Sequence, residues 1–473
     1  MTPAAGKQRI APMDRRFPRG FVWGAATSAT QVEGAADVAG KSPSIWDRAG
    51  AQPGRIHAGQ TPRVADDHYH CFRDDVRLMR DLGLRHYRFS INWCRIMPHG
   101  GQRVNRRGLD FYKRLCDALH DAGITPWATL YHWDLPVELE DQGGWSVRST
   151  VDAFARYADA AVAGLRQHIQ RWMTINELHT LIQCGYRLGV HAPFRREPDR
   201  VVWQAHHHVL LAHGCAVRAV REHGSKGSAV GFVHNPESPV PLDESPDHVA
   251  AARRYYESIT GHYFWPLYRG RYAPAWLASV GDDRPDIAPG DMDLISLPTD
   301  FLGLNQYGAN IIRATPDGGW EHLPYPRDFP RGGFDWLGDT PDVLYWGPRF
   351  THELYRPGDI YITENGLHSD DAPTAGGEVH DLYRCQWLQK YLAALHRACQ
   401  EGVPVRGYFH WTLMDNFEWA YGYSKRLGLI HVDFDSLRRT PKLSARLYGS
   451  IASSNRLPTS TAGQRRSRKE PSR

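Results

Sequence analysis

Two acidic side chains stand where a catalyst could act. Tyr361-Ile362-Thr363-Glu364-Asn365-Gly366 starts as a β-branched and aromatic run, reaches a carboxylate and breaks at Asn-Gly. That is how a strand reads when its last side chain faces a cavity. Arg171-Trp172-Met173-Thr174-Ile175-Asn176-Glu177 has the same design. Taken singly, either glutamate could as well be a strand-terminal partner for a surface arginine. Facing each other across one pocket, they could cleave an acetal. One carboxylic acid would protonate the departing oxygen while the other carboxylate attacks the anomeric carbon or activates water. Two close negative charges resist joint ionisation, so one pKa rises and a proton donor survives near neutral pH. Arg88, if it reaches Glu364, would keep that carboxylate ionised.

Such a pair needs a scaffold that joins distant stretches of chain. Phe21 to Ala26 reads as a short buried strand, and Phe72, Val76, Met79 and Leu82 follow helical spacing up to Gly83. His86 to Ser90 is then a strand. Helix followed by strand recurs: Phe111 to Ala122 before Pro126–Tyr131, Phe154 to Leu165 before Arg171–Glu177, and His206 to Val220 before Ala229–Val233. Phe301–Asn305 is the next strand, and residues 308–348, rich in Gly, Pro and Asp, read as a long loop before the Glu364 strand. A helix from Leu388 to Cys399 and a last strand, Arg406–Trp411, complete eight strands. Eight βα units predict an α/β fold, a closed (β/α)8 TIM barrel in one domain with long inserted βα loops. An open doubly wound sheet would want a G-x-G-x-x-G turn after its first strand, which Trp23-Gly24-Ala25-Ala26-Thr27 lacks. Polar residues cluster at the strands' C-terminal ends: Gln31 beyond the first, then Arg88, His132, Asn176-Glu177, Asn305 with Tyr307, Glu364 and Trp411. In a barrel those ends share one mouth.

Composition narrows the classes. The 473 residues are 41% hydrophobic with 16 Trp and 22 Tyr, a globular chain rich in rings that can line a pocket. Of the formal charge of +5, residues 465–473 supply +4 through five Lys/Arg and one Glu. A nearly neutral body gives no reason to expect nucleic acid. Residues 1–16 are expected to be a flexible start, 17–455 the barrel and 456–473 a disordered basic tail. Seven cysteines without repeated spacing suit a reducing compartment rather than a disulfide framework. No stretch reaches the ~18 apolar residues of a membrane span, so a cytoplasmic enzyme, monomer or homo-oligomer, is expected.

The lining chemistry suits a sugar. Gln31, His132, Asn176 and Glu418 offer donors and acceptors for hydroxyls, and Trp411 and Trp419 offer flat faces for a pyranose ring. Over roughly residues 17–451 the chain resembles glycoside hydrolase family 1, the β-glucosidase group. The matching segments include Trp23–Ser28 with Gln31–Gly34, Tyr87–Ser90, Thr129–Pro136, Thr174–Glu177, Tyr361–Gly366, and Asp415–Trp419 followed by Gly422-Tyr423. The resemblance implies Glu364 as nucleophile, Glu177 as acid and then base, and retention of configuration with carboxyl groups ~5–5.5 Å apart. It implies that Asn176 holds the sugar's 2-hydroxyl and that Tyr307 and Arg88 position the nucleophile. Gln31, His132, Glu418 and Trp419 would bind the nonreducing sugar, with Trp411 stacked beneath it. Trp133 and Asn305 join the substrate-binding set, although Trp133 beside Asp134, like Trp46 beside Asp47, could simply pack. The implied substrates are β-D-glucosides such as cellobiose and aryl or alkyl glucosides, with β-D-galactosides and β-D-fucosides behind them; no cofactor or metal is expected.

Several positions depart from the family pattern. Leu178 stands where Pro is usual and His179 where many members carry Trp, which points to His179 as an aglycone-side residue. Gln306 interrupts a usual Tyr pair, and Leu427 replaces a usual Phe. A 6-phospho-β-glycosidase is the nearest rival, but only Lys425 agrees with that pattern, and Glu418 would repel a phosphate. A silent sugar-binding barrel is the rival from another class, and both carboxylates argue against it. His206, His207 and His208 lack a His-x3-His pair and read as core or capping residues. Asp66-Asp67 and Asp74-Asp75 read as capping and surface pairs.

Overall fold

A computed structural model describes residues 15–458. Eight parallel strands close into a barrel: β1 (Val22–Ala26), β2 (His86–Ser90), β3 (Thr125–Tyr131), β4 (Arg171–Asn176), β5 (Ala229–His234), β6 (Phe301–Asn305), β7 (Asp359–Glu364) and β8 (Val405–Trp411). Each strand pairs with its successor in the chain, and β8 returns to β1, so no edge is left open. The fold is the expected single-domain TIM barrel.

Large rings fill the barrel's interior at the end away from the catalytic mouth. Trp127 on β3 lies 5.6 Å from Phe301, 5.0 Å from Tyr361 and 5.2 Å from Phe409, centroid to centroid, so one indole touches three other strands. Small residues make the room. A Cβ at Gly24 would fall 2.5 Å from the Phe409 ring, and one at Gly231 2.4 Å from Phe301. With that floor packed, the polar strand ends are left to line the opposite mouth. Truncating such a plug by Trp127→Ala would cost about 3–5 kcal/mol.

The helical stripes read from sequence form His68–Asp81, Arg106–Asp121, Ser149–Leu165 and Leu382–Gln400. In Arg106–Asp121 the buried residues Leu109, Tyr112, Cys116 and Leu119 repeat at three to four, which turns one stripe onto the barrel. The helix Asp199–His223 is buried through most of its middle. This explains its three adjacent histidines. His206 Nε2 contacts the His262 carbonyl at 3.1 Å, His207 lies 3.0 Å from both Tyr272 Oη and Asp291 Oδ2, and His208 Nδ1 lies 2.9 Å from the Trp145 carbonyl.

Two expectations need correction. Residues 308–348 are not one loop: Asn310–Ala314 and Trp320–Leu323 pair with each other, Pro239–Pro241 adds a third strand, and a helix opens at Val343 and runs to Tyr355. Gly347 and Pro348 inside that helix masked its periodicity, and the strands are too short for a clear alternation. Asp66 and Asp75 are not surface residues; both are fully buried. Asp75 pairs with Arg439 at 2.9 Å and with His68 at 2.8 Å, contacts 364 and seven residues away that local sequence could not announce.

Most of the expected flexible start and basic tail lies outside the described residues. Their described ends pair: Arg16 bridges Arg456 in antiparallel fashion, and Leu457 N–H donates to the Arg15 carbonyl at 3.1 Å. Among the described residues no helix is long and apolar enough to cross a membrane.

Candidate active site

The C-terminal ends of the strands enclose a cavity of about 510 Å³. Glu177 and Glu364 both lie on its wall, together with His132, Trp133, Asn176, His179, Asn305, Tyr307, Trp411, Glu418 and Trp419. Nearly every residue expected from the sequence is therefore brought together. Arg88 and Gln31 are the exceptions, since they stand behind the wall, each against a carboxylate.

Glu364 is the last residue of β7 and is 3% exposed. Arg88 Nη1 donates to its Oε1 at 2.6 Å, and the Tyr307 hydroxyl donates to Oε2 at 2.8 Å. Arg88 is itself locked: Nη1 also reaches the Thr363 carbonyl at 3.1 Å, Nη2 donates to Asn176 Oδ1 at 2.6 Å, and Nε points to Thr129 Oγ1 at 3.3 Å. Burial raises the Glu364 pKa, and the guanidinium and phenol oppose that rise. The backbone behind it is equally constrained, because a Cβ at Gly366 would fall 1.8 Å from the Trp411 carbonyl.

Glu177 follows β4 and opens the short helix Leu178–Ile182 in a left-handed conformation, φ 50° and ψ 64°. Trp133 and Trp419 on the same wall also have positive φ, 74° and 47°. Each such backbone costs about 1–2 kcal/mol for a non-glycine residue, and three at one site mark a place where side-chain direction overrides local preference. The Glu177 carboxyl has no cation beside it. Asn305 Nδ2 donates to Oε1 at 2.7 Å, and burial followed by repulsion from Glu364 pushes the pKa up to about 8. The site thus pairs a carboxyl group gripped by Arg88 with one that has no cation beside it and is pushed up to about 8.

Amides connect the two. Asn176 Oδ1 accepts from Arg88 and, at 3.1 Å, from Asn305 Nδ2, while Asn176 Nδ2 donates to His132 Nε2 at 3.1 Å. Asn305 Oδ1 accepts from Thr363 Oγ1 at 2.7 Å. With Nε2 accepting, the neutral His132 ring carries its proton on Nδ1, which has no partner. Burial, aided by Arg88, holds the His132 pKa well below the ordinary value. The ring lies near-parallel to Trp411 and Trp419, 5.9 Å from each.

At the deep end Glu418 shares a short contact set with Gln31. Gln31 Nε2 donates to Glu418 Oε2 at 3.2 Å and to the Phe417 carbonyl at 2.9 Å, while its Oε1 accepts from Ser28 Oγ at 2.6 Å. Burial and the neighbouring carboxylates push Glu418 up to about 8. Trp419 is backed by Trp46 at 4.7 Å and by Trp133 at 4.6 Å, so Trp46 packs as expected, whereas Trp133 both packs and lines the cavity. Trp133 Nε1 donates to the Asn176 carbonyl at 2.9 Å.

At the outer end His179, one residue beyond Leu178, sits between two partners. Its Nδ1 lies 2.8 Å from the Tyr263 hydroxyl and its Nε2 3.4 Å from Glu237 Oε1. The sequence reading missed Glu237, Asn235, Phe334, Trp336 and Tyr421 on this part of the wall. Asn235-Pro236-Glu237 follows β5 directly, and that polar strand end was the available signal. Phe334 and Trp336 lie in the segment taken for a plain loop.

The comparisons agree with this architecture. The sequence profile of glycosyl hydrolase family 1 matches residues 13–457. The chain is 38% identical to β-glucosidase A of Thermotoga maritima over 444 residues, covering 94% of this chain and 99% of that protein. It is 40% identical to thermostable β-glucosidase B of Thermobispora bispora over 453 residues, 94% and 92% of the two chains. The structure of the Thermotoga maritima β-glucosidase in complex with glucoimidazole superposes with a TM-score of 0.86 at 38% identity, covering 93% of this chain and 99% of that one. With a closed barrel, a buried pair of glutamates at its mouth and full-length similarity of this kind, the chain belongs to glycosyl hydrolase family 1, as a retaining hydrolase of the β-glucosidase kind.

Proposed function

We propose that the protein removes terminal nonreducing β-D-glucosyl residues from cellobiose and from aryl and alkyl β-glucosides, with β-D-galactosides and β-D-fucosides as weaker substrates. In the first step a Glu364 oxygen bonds to C1 as the C1–O glycosidic bond breaks, and the Glu177 proton goes to the departing oxygen. In the second, Glu177 takes a proton from water, the water oxygen bonds to C1, and the Glu364 ester is released with configuration retained. Asn176 serves the 2-hydroxyl. His132, Glu418 and Trp419 serve the other hydroxyls, Trp411 the ring face, and Gln31 acts through Glu418. Tyr307 and Arg88 hold Glu364, and Asn305 holds Glu177.

The observation that carries this reading is the asymmetry of the pair: Arg88 grips Glu364 at 2.6 Å, while Glu177, met by Asn305 and Thr180 rather than by a cation, is pushed up to about 8. Environments that drive two carboxyl groups apart assign the acid and the anion. The seven cysteines are all unpaired, which supports a reducing, cytoplasmic setting.

The decisive test is Glu364→Gly. Turnover of 4-nitrophenyl β-D-glucoside should fall by on the order of 10⁴-fold or more. Azide or formate should restore it and yield the α-configured product, because the small anion enters from the vacated side. A β-configured product, or full activity without rescue, would overturn the assignment. The parent should hydrolyse the plain glucoside and not its 6-phosphate; the reverse preference would transfer the protein to the phosphoglycoside class.

A further inference from the structure

Glu177 stands at the N-cap of the short helix Leu178–Ile182, where a side-chain oxygen commonly accepts from the N–H groups of the first turn. Its carboxyl makes no such bond. The Leu181 N–H takes the Glu177 backbone carbonyl instead, at 3.0 Å, and the carboxyl is left to face the cavity. Thr180, the third residue of that helix, lines the same wall and brings its hydroxyl to the carboxyl. From the neighbouring strand Asn235, the first residue after β5, reaches across and donates Nδ2 to Thr180 Oγ1 at 2.6 Å. The two segments are tied at their base, because the Glu177 N–H donates to the Val233 carbonyl at 3.1 Å.

A hydroxyl has one proton to give. Once Thr180 Oγ1 accepts from Asn235, that proton is directed away from the amide, and the acceptor on the other side is Glu177. Asn235 Oδ1 has no partner, so the amide is committed to Thr180 through its donor end alone. Glu177 thus meets two neutral donors, Asn305 Nδ2 on Oε1 and the Thr180 hydroxyl, and such bonds favour the ionised carboxyl. Burial, followed by repulsion from Glu364, opposes them; Arg88 on β2 sides with the donors. Tyr307, Glu418 and Cys184 are the other titratable groups that face Glu177. The balance changes during the reaction. Once Glu364 carries the sugar as an ester it can no longer repel Glu177, while the two donors stay in place.

We infer that Thr180 and Asn235 are positioning residues for the acid–base group: Asn235 orients the Thr180 hydroxyl, and that hydroxyl holds Glu177 as a carboxylate for the second step. The inference rests on the reading of Glu177 as acid and then base, and adds two residues that act through it. Thr180 keeps its own proton throughout. In the first step the Glu177 proton leaves with the departing oxygen, and the carboxylate so formed is received by Asn305 and Thr180. In the second the water oxygen bonds to C1, the water proton goes to Glu177, and the bond from C1 to Glu364 breaks.

Thr180→Val keeps the shape of the side chain and removes the donor. The alkaline limb of kcat/KM for cellobiose, set by loss of the Glu177 proton, should move up by about one pH unit, the tenfold shift that one hydrogen bond to an ionised group supports. With a dinitrophenyl β-D-glucoside, whose leaving group needs no proton, the second step limits turnover, and kcat should fall by about five- to tenfold near neutral pH. Thr180→Ser, which restores the hydroxyl, should return both values. Asn235→Ala should move both in the same direction by less, and in the Thr180→Val background it should leave kcat for the dinitrophenyl glucoside unmoved, because its route to Glu177 is gone. That readout is free of leaving-group contacts, since the leaving group has departed before the second step. An alkaline limb that stays in place in Thr180→Val, a loss that Thr180→Ser does not repair, or an Asn235→Ala effect on kcat that persists in full without the hydroxyl would overturn the inference. A parental alkaline limb that survives in Glu177→Gln would instead count against the catalytic reading on which the inference stands.

Discussion

The two ends of the catalytic cavity are built differently. At the deep end, polar atoms are carried on strand ends and the segments that follow them and are committed to one another: Arg88 to Glu364 and Asn176, Asn305 to Glu177, Gln31 to Glu418. At the outer end, rings come from connecting segments and reach solvent; Trp336 is 56% exposed and Tyr421 42%. Cross-linked donors inside a low-dielectric wall are strong and already oriented, so they can set charge and hold one sugar shape. Half-exposed rings contribute area without fixing a position. The deep end should therefore decide whether and how the bond breaks, and the outer end which leaving groups are accepted.

The sharpest way to break that division is at Glu177. Glu177→Gln should lower turnover of cellobiose by about 10²–10⁴-fold and affect a dinitrophenyl glucoside far less in its first step, since that leaving group needs no proton. The parent's activity on cellobiose should decline as pH rises through about 8, where Glu177 loses its proton. The variant should lack that limb. A parental alkaline limb that persists in Glu177→Gln would show that another group supplies the proton.

Next in size is Arg88→Met. It leaves Glu364 buried without its cation, so the carboxyl pKa should climb further and the acid limb of the pH profile should move upward. Breaking one side of a buried pair costs about 3–5 kcal/mol of stability, and turnover should fall by about 10²-fold as the anion becomes scarce. Thermal melting together with the pH profile separates the two effects. A stability loss without movement of the acid limb would remove Arg88 from the role assigned to it.

A smaller effect is expected from Glu418→Gln, and its sign is informative. The carboxyl stands near 8 in the folded chain against an ordinary value of 4.5. Between those values the folded state binds a proton that the unfolded state has released, so stability falls as pH rises across the window and levels off above about 8. Removing the acid removes that fall. The variant should melt less pH-dependently than the parent and gain relative to it between pH ~5 and ~9, while catalysis of glucosides drops by about tenfold for one lost hydrogen bond.

The same contrast decides what could be read from sequence. Deep-end residues were legible because each closes a β-branched run: Glu364 ends Tyr361-Ile362-Thr363, and Asn176-Glu177 ends Met173-Thr174-Ile175. Strand alternation and barrel closure then place those tips together without further information. The fate of Gln31 was only half legible. It stands behind the wall, its amide spent on Ser28 three residues away and on Phe417 and Glu418 almost four hundred residues further along the chain. Phe334 and Trp336 escaped because Gly- and Pro-rich stretches carry no period, and their position depends on how the segment folds over the mouth. The burial of Asp66 and Asp75 escaped for the related reason that Arg439 approaches from the far end of the chain.

The mildest test acts on the outer end alone. His179→Trp replaces an imidazole held between Tyr263 and Glu237 by a larger apolar ring. Glu237, which the His179 contact holds below its ordinary pKa, would lose that partner and point a freer carboxylate at the cavity. Leaving groups with aromatic faces should gain, and hydroxylated ones should lose the imidazole and acquire a repositioned acceptor. Across a panel of aryl and alkyl β-glucosides the order of kcat/KM should change by about two- to tenfold, the worth of one aromatic contact. The pH limb set by Glu177 should stay where it is. Unchanged selectivity would detach His179 from the leaving group, while a shifted limb would mean that the outer wall reaches into the chemistry and that the two ends are one unit.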